Sequence, residues 1–156
     1  MNMKKKPPIL RFLILTEGVG LLSGFLSREG IRDYAVLPKS ALTPPNWVFP
    51  LVWTVLFALM AVGAARVYAS EGPGRSRALA LFGVQLAVNF VWSLLFFNGQ
   101  LFGFALLWLA VLWLLILGMI RAFGKVDQTA ARLQIPYLLW VTFAAYLNWA
   151  VWMLNR

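Results

Sequence analysis

The chain reads as an all-α integral membrane protein, a single domain built as a bundle of five transmembrane helices. Three observations predict this. Of its 156 residues, 62% are apolar and 12% charged, whereas soluble domains carry roughly a quarter charged residues. Its uncharged runs reach the length of about 20 residues that a bilayer core demands. Its basic residues cluster where those runs end. In water such a chain would expose apolar patches beyond the few hundred Å² that soluble monomers tolerate, which excludes a soluble enzyme. The absence of Cys and His removes disulfides, zinc sites, thiolate nucleophiles, imidazole bases and the commonest haem ligands.

The first helix is predicted over residues 9–27. It carries Arg11 near its start and Glu17 well inside, a charge that must face the bundle interior or water. Lys4, Lys5 and Lys6 before an apolar stretch imitate a secretory signal, but Pro7 and Pro8 interrupt the pattern, Glu17 breaks it, and no Ala-x-Ala site follows. Residues 28–45 form the one connection long enough to act as a lid, stiffened by three prolines. The second helix, residues 46–68, is predicted to open with Thr43 as cap ahead of Pro44 and Pro45, and Pro50 to bend its entry. A 43-residue uncharged run, Ala78 to Ile120, is divided by Asn98, Gly99 and Gln100 into a third helix at 77–98 and a fourth at 101–123. The fifth spans 131–154, with Pro136 a candidate bend.

An odd number of spans puts the termini on opposite sides. Ten basic residues fall on the N-terminal side (Lys4, Lys5, Lys6, Arg11, Arg66, Arg75, Arg77, Arg121, Lys125, Arg132) and four on the other (Arg28, Arg32, Lys39, Arg156). The positive-inside rule then predicts a multi-pass protein of a bacterial cell membrane with a cytoplasmic N-terminus. The basic flanks suit topology signals and anionic lipid headgroups, and they leave no basic stripe for nucleic acid.

Eight tryptophans lie at different depths. Trp47, Trp149 and Trp152 sit near predicted helix ends, as in an interfacial aromatic belt. Trp108 and Trp113 have no polar neighbour on their own helix and read as lipid-facing or packing residues. Three helices carry stripes at helical spacing: Trp53 and Phe57; Gln85, Asn89, Trp92 and Phe96; Tyr137, Trp140, Ala144 and Asn148. Amides at membrane depth need partners, so these stripes are either interhelical glue or the lining of a pocket for a flat, largely apolar ligand. The pocket read from periodicity comprises Trp53, Phe57, Asn89, Trp92, Trp140 and Ala144. Small residues recur four apart at Gly20/Gly24, Ala61/Ala65 and Gly83/Ala87, permitting close helix approach within a chain or in a homodimer, for which the third helix (Gly83, Ala87) is the candidate seam.

Thr43-Pro44-Pro45-Asn46-Trp47-Val48-Phe49 with Trp53, then Gln85-Leu86-Ala87 and Asn89 running to Phe96-Phe97, then Pro136-Tyr137-Leu138-Leu139-Trp140 with Phe143-Ala144 and Leu147-Asn148, carry a resemblance over nearly the whole chain. It resembles the TspO/translocator protein family, also called tryptophan-rich sensory proteins or peripheral-type benzodiazepine receptors. The resemblance implies a five-helix bundle, often dimeric, that binds protoporphyrin IX and related tetrapyrroles. It also implies isoquinoline carboxamide and benzodiazepine ligands in a pocket closed by the first loop. It implies a role in stress response and tetrapyrrole homeostasis, with no resident cofactor required. Position by position, Tyr34, Trp53, Phe57, Asn89, Trp92, Phe96, Tyr137, Trp140, Ala144 and Asn148 look like ligand-binding positions. Trp53 and Trp140 look like the pair implicated in light- and oxygen-dependent porphyrin breakdown, the catalytic alternative. A tetrapyrrole transporter is the second alternative, without support from inverted repeats. The chain departs from the family in its first loop, with Asp33-Tyr34 in place of Trp-Tyr and Pro38-Lys39-Ser40-Ala41 in place of Lys-Lys-Pro-Ser. Arg156 also lies too far beyond Tyr146 for the mammalian sterol motif.

Overall fold

The computed structural model describes residues 6–156, so Lys4 and Lys5 of the basic cluster lie outside the described residues. Five segments are long and apolar enough to cross a membrane. They are α1 (Ile9–Leu26), α3 (Val48–Ala69), α4 (Arg75–Ser93) with its π-helical extension Leu94–Asn98, α5 (Phe102–Gly124), and the pair α6 (Gln128–Arg132) and α7 (Ile135–Leu154). A shorter helix, α2 (Arg28–Ala35), follows α1. A bilayer strips water from the backbone, so each span must satisfy its own N–H and C=O groups, and the helix does so.

The expected first loop is therefore partly helical. Gly30 and Tyr34, four apart on α2, are its buried positions, an i/i+4 face too short and too charged to stand out as a helix. Its C-terminus is closed by Lys39, whose Nζ donates to the carbonyls of Tyr34 (3.0 Å), Ala35 (2.9 Å) and Leu37 (3.1 Å). A cation there complements the exposed carbonyl ends.

Thr43 does not cap α3. That helix starts at Val48 with Trp47 as its first flanking residue, so its free N–H groups lie beyond the two or three residues that a capping hydroxyl spans. Pro136 does not bend the last span either. The predicted 131–154 helix divides at Leu133–Gln134 and Pro136 occupies the first turn of α7, where a missing N–H costs nothing. Asp127 caps α6 by accepting from the Ala130 N–H at 2.9 Å and pairs with Arg66 at 3.2 Å. Partial burial opposes its ionisation, yet these bonds hold its carboxyl below the ordinary value. At the α4–α5 corner the left-handed residue is Gln100 (φ 49°) rather than its neighbour Gly99.

Helix α1 packs on α3 and α4, α4 on α5, and α5 on α7. It is the peripheral helix, with Thr16 alone buried. The Thr16 hydroxyl donates to the Phe57 carbonyl at 2.8 Å. Gly20 makes room for the Phe57 ring, since a Cβ there would stand 2.6 Å from it. Ala61 and Ala65 are fully buried, whereas Gly24 and Gly83 face open space. Of the two readings of Trp108 and Trp113, lipid-facing or packing, the structure shows packing, since both lie against the core. Their indole N–H groups reach acceptors on neighbouring helices, the Val88 carbonyl at 2.8 Å and the Thr142 hydroxyl at 2.9 Å, partners that no inspection of their own helix could reveal.

Candidate functional site

The ring of helices closes where α7 meets α3, and it closes through aromatic side chains. Trp53 lies 6.2 Å from Tyr137 and Phe49 lies 6.0 Å from Trp140, both edge-on, measured between ring centroids. Phe49 and Trp53 are one turn apart on α3, as are Tyr137 and Trp140 on α7, so the two contacts form successive rungs. Phe57 extends the stack at 5.6 Å from Trp53, and Phe143 at 5.6 Å from Trp140. Edge-on and tilted pairs match the electropositive ring edge to the negative face.

The rungs involve only the first turns of each helix. Beyond them, the C-terminal part of α7 is accompanied by the first loop. Ser40 Oγ and Tyr146 OH share a hydrogen bond of 2.8 Å, and Asn155 Nδ2 donates to the Pro38 carbonyl at 3.1 Å. The loop is thus fastened to the C-terminal half of α7.

The polar stripe joins α4 to α7. Asn89 Nδ2 donates to Tyr137 OH, and Tyr137 OH donates to Gln85 Oε1, each at 2.7 Å. Gln85 Nε2 is 3.6 Å from Met60 Sδ on α3. One turn along, Trp92 Nε1 donates to Asn148 Oδ1 at 3.2 Å, while Asn148 Nδ2 donates to the Phe102 carbonyl at 2.7 Å. Each amide therefore has a protein partner, the interhelical-glue arrangement.

Tyr34 belongs to a neighbouring group. From α2 it packs on Phe96 at 5.4 Å and Phe97 at 5.5 Å, and burial pushes its hydroxyl up to about 12. Phe96 stacks on Trp92 at 5.1 Å. The π-helical turn sets this up, because its widened spiral places Phe96 and Phe97 both against Tyr34.

The candidate positions thus converge. Tyr34, Phe57, Trp92, Phe96, Tyr137 and Ala144 share one buried core, with Trp53 and Trp140 packed against it, and Asn89 and Asn148 are tied in by hydrogen bonds. Ala144 is buried one turn from Trp140 on the same face of α7. Sequence reasoning missed Phe49, Phe143, Ser40 and Tyr146. The spacing of Phe49 from Trp53 and of Phe143 from Trp140 was the available signal, whereas the Ser40–Tyr146 contact spans 106 positions and left none.

Three buried side-chain atoms lack a hydrogen-bond partner among the described residues: Thr43 Oγ1, Gln134 Oε1 and Trp140 Nε1. A surface cavity of about 470 Å³ lies away from the aromatic seam, in the α3–α4 connection around Tyr68, Glu71, Arg75 and Arg77.

The model of the TspO/MBR family matches residues 12–153. The chain is 40% identical over 129 residues to protein CrtK of Rhodobacter capsulatus, which covers 78% of each chain. Against tryptophan-rich protein TspO of Chlorobaculum tepidum the identity is 39% over 143 residues, 85% of each chain. Against the translocator protein of Homo sapiens it is 37% over 137 residues, 86% of this chain and 81% of the human one. With nearly its whole length matched and each span accounted for, the chain belongs to the TspO/MBR family.

Proposed function

We propose that this membrane protein binds a porphyrin or related tetrapyrrole, protoporphyrin IX as the representative, and isoquinoline- or benzodiazepine-type molecules, in the aromatic seam between α3 and α7. Its role is then regulatory, within tetrapyrrole homeostasis. The observation that carries this reading is the double rung Trp53–Tyr137 and Phe49–Trp140. Two helices that meet through flat rings, with a segment of loop beside them, can part to admit a flat apolar molecule by exchanging ring–ring contacts for ring–ligand ones. Ala144 would form the floor. Ala144→Phe is expected to weaken protoporphyrin IX binding at least tenfold in a dark titration followed by indole fluorescence, with thermal melting retained; unchanged affinity in a folded variant removes the seam from consideration.

A second reading, light- and oxygen-dependent porphyrin breakdown, is favoured by the presence of both Trp53 and Trp140 in the seam, where excited porphyrin would meet oxidisable indoles. Acid–base catalysis has little to work with, since the chain contains no His and only five carboxylate side chains. Equal porphyrin loss under light with and without the two indoles counts against this reading.

We also infer a cytoplasmic N-terminus from the basic excess on that side, and a homodimer through α4, where Gly83 and Ala87 are exposed and a Cβ on Gly83 would meet nothing within 4 Å. Gly83→Leu is expected to shift the detergent-corrected mass toward the monomer; an unaltered dimer places the contact elsewhere.

A further inference from the structure

We propose that the cavity in the α3–α4 connection binds the phosphodiester head group of an anionic lipid, with Arg75 as its fixed anchor and Arg77 as its second cation. This site is separate from the aromatic seam and does not depend on it.

The cavity, of about 470 Å³, is lined by one continuous stretch of chain, Tyr68 to Arg77, and its volume falls within the roughly 300–1,000 Å³ of small-molecule sites. Helix α3 ends at Ala69 and α4 begins at Arg75, and both are spans. The turn between them therefore lies at the level of the lipid head groups. Tyr68, 43% exposed, is the kind of residue that settles there, apolar in its ring and polar at its tip. By the excess of basic residues this side is the cytoplasmic one, whose lipid surface is negative. Lipid phosphates are thus the anions most concentrated at the mouth of the cavity, which favours them over phosphates in solution.

Arg75 is held in place by its own stretch of chain. Its Nε donates to the Tyr68 carbonyl at 2.8 Å, and its guanidinium carbon lies 4.6 Å from the centroid of the Tyr68 ring. One edge of the guanidinium is thereby occupied and one face covered, while its two terminal amino groups have no partner among the described residues. Those groups belong to a planar fork that matches two oxygens of one phosphate. An arginine fixed in this way loses little rotamer freedom when it binds.

The charges of the cavity define what it takes. Glu71 lines the same space, yet the one ion pair among the described residues joins Arg66 to Asp127, so neither Arg75 nor Arg77 is paired with it. Two guanidinium groups against one carboxylate leave a single net positive charge, and a phosphodiester carries a single negative one. A zwitterionic head group brings no net charge and leaves that excess uncompensated. The two arginines lining one concavity also repel each other, a cost that an anion between them removes. Gly72 lines the cavity as well, and a Cβ there would meet nothing within 4 Å, so a bulky side chain at this position competes with a ligand for room without displacing its neighbours.

The test is native mass spectrometry of the full-length protein in detergent, supplied with equal amounts of phosphatidylglycerol and phosphatidylcholine that carry the same acyl chains. The readout is the ratio of the two lipids in the singly bound species. The wild type is expected to favour phosphatidylglycerol severalfold. Arg75→Gln should remove most of that preference, and Gly72→Phe should lower it with every charge still in place. Arg121→Gln should keep it, because Arg121 is an exposed cation in the last turn of α5, on the same side of the membrane but outside the cavity. A preference that survives Arg75→Gln or Gly72→Phe, or that Arg121→Gln reduces equally, overturns the site and leaves only the diffuse attraction of the basic flanks. A further arm adds glycerol 3-phosphate in large excess. Undiminished phosphatidylglycerol binding supports the lipid, whereas displacement assigns the cavity to soluble phosphate esters and overturns the lipid as its occupant.

Discussion

Gly30→Ala is expected to release α2 from the bundle and expose the first loop to trypsin. At Gly30 the helix backbone lies directly on the π-helical turn. A Cβ would run into the carbonyl group of Phe97 and stand 2.8 Å from Asn98 Oδ1. The Phe97 carbonyl is main chain and cannot rotate aside, so α2 itself must lift. Overpacking of this kind costs on the order of 1–3 kcal/mol. The loss of Tyr34 from its place between Phe96 and Phe97 would follow. Cleavage at Arg28, Arg32 and Lys39 should accelerate several-fold in the variant. Gly24→Ala is the control, because a Cβ there meets nothing within 4 Å, and it should leave the rate alone. Equal cleavage in Gly30→Ala and wild type would show that α2 is not held by this contact.

Tyr137→Phe is expected to lower stability by about 1–2 kcal/mol, measured as a shift in detergent-micelle unfolding. The Tyr137 side chain is fully buried, and its hydroxyl both accepts from Asn89 and donates to Gln85. Removing it leaves Gln85 Oε1 and Asn89 Nδ2 without their partner in a setting that water reaches poorly, and the deficit exceeds that of one broken bond. Membrane hydrogen bonds average nearer ~0.6 kcal/mol than soluble ones, because the unfolded helices also find partners, which sets the lower bound. Tyr146→Phe removes a bond of similar length, to Ser40, at an exposed position, and should change stability by less than about 0.5 kcal/mol. Matching stabilities for the two variants would contradict the assignment of Asn89, Tyr137 and Gln85 as a structural network.

The helices were legible in the sequence because bilayer insertion makes length and charge sufficient. All five spans fall within a few residues of their expected limits, apart from the break before α7. Local departures arose where α3 starts at Val48, past the reach of Thr43, where Pro136 starts a helix, and where Gln100 takes the left-handed corner. The stripes were legible as faces, since Asn89, Trp92, Tyr137 and Asn148 repeat at helical spacing. Their partners were not. Periodicity says which residues share a face but not which helix stands opposite, so the choice between glue and pocket lining could only come from the pairing of Asn89 with Tyr137 and of Trp92 with Asn148. Helix α2 and the descent of the loop along α7 depend on contacts distant in sequence, such as Pro38 with Asn155, which no local pattern encodes.

The central claim is that the α3–α7 aromatic seam receives a flat ligand. A dark titration of the full-length protein in detergent with protoporphyrin IX tests it most directly, following indole fluorescence in the wild type and in Trp53→Phe, Trp140→Phe and Trp108→Phe. The account predicts saturable quenching, with affinity weakened by loss of Trp53 or Trp140 and unaffected by loss of Trp108, which is held to the Val88 carbonyl away from the seam. Saturable binding that is indifferent to Trp53 and Trp140, or an absence of saturation, would contradict it.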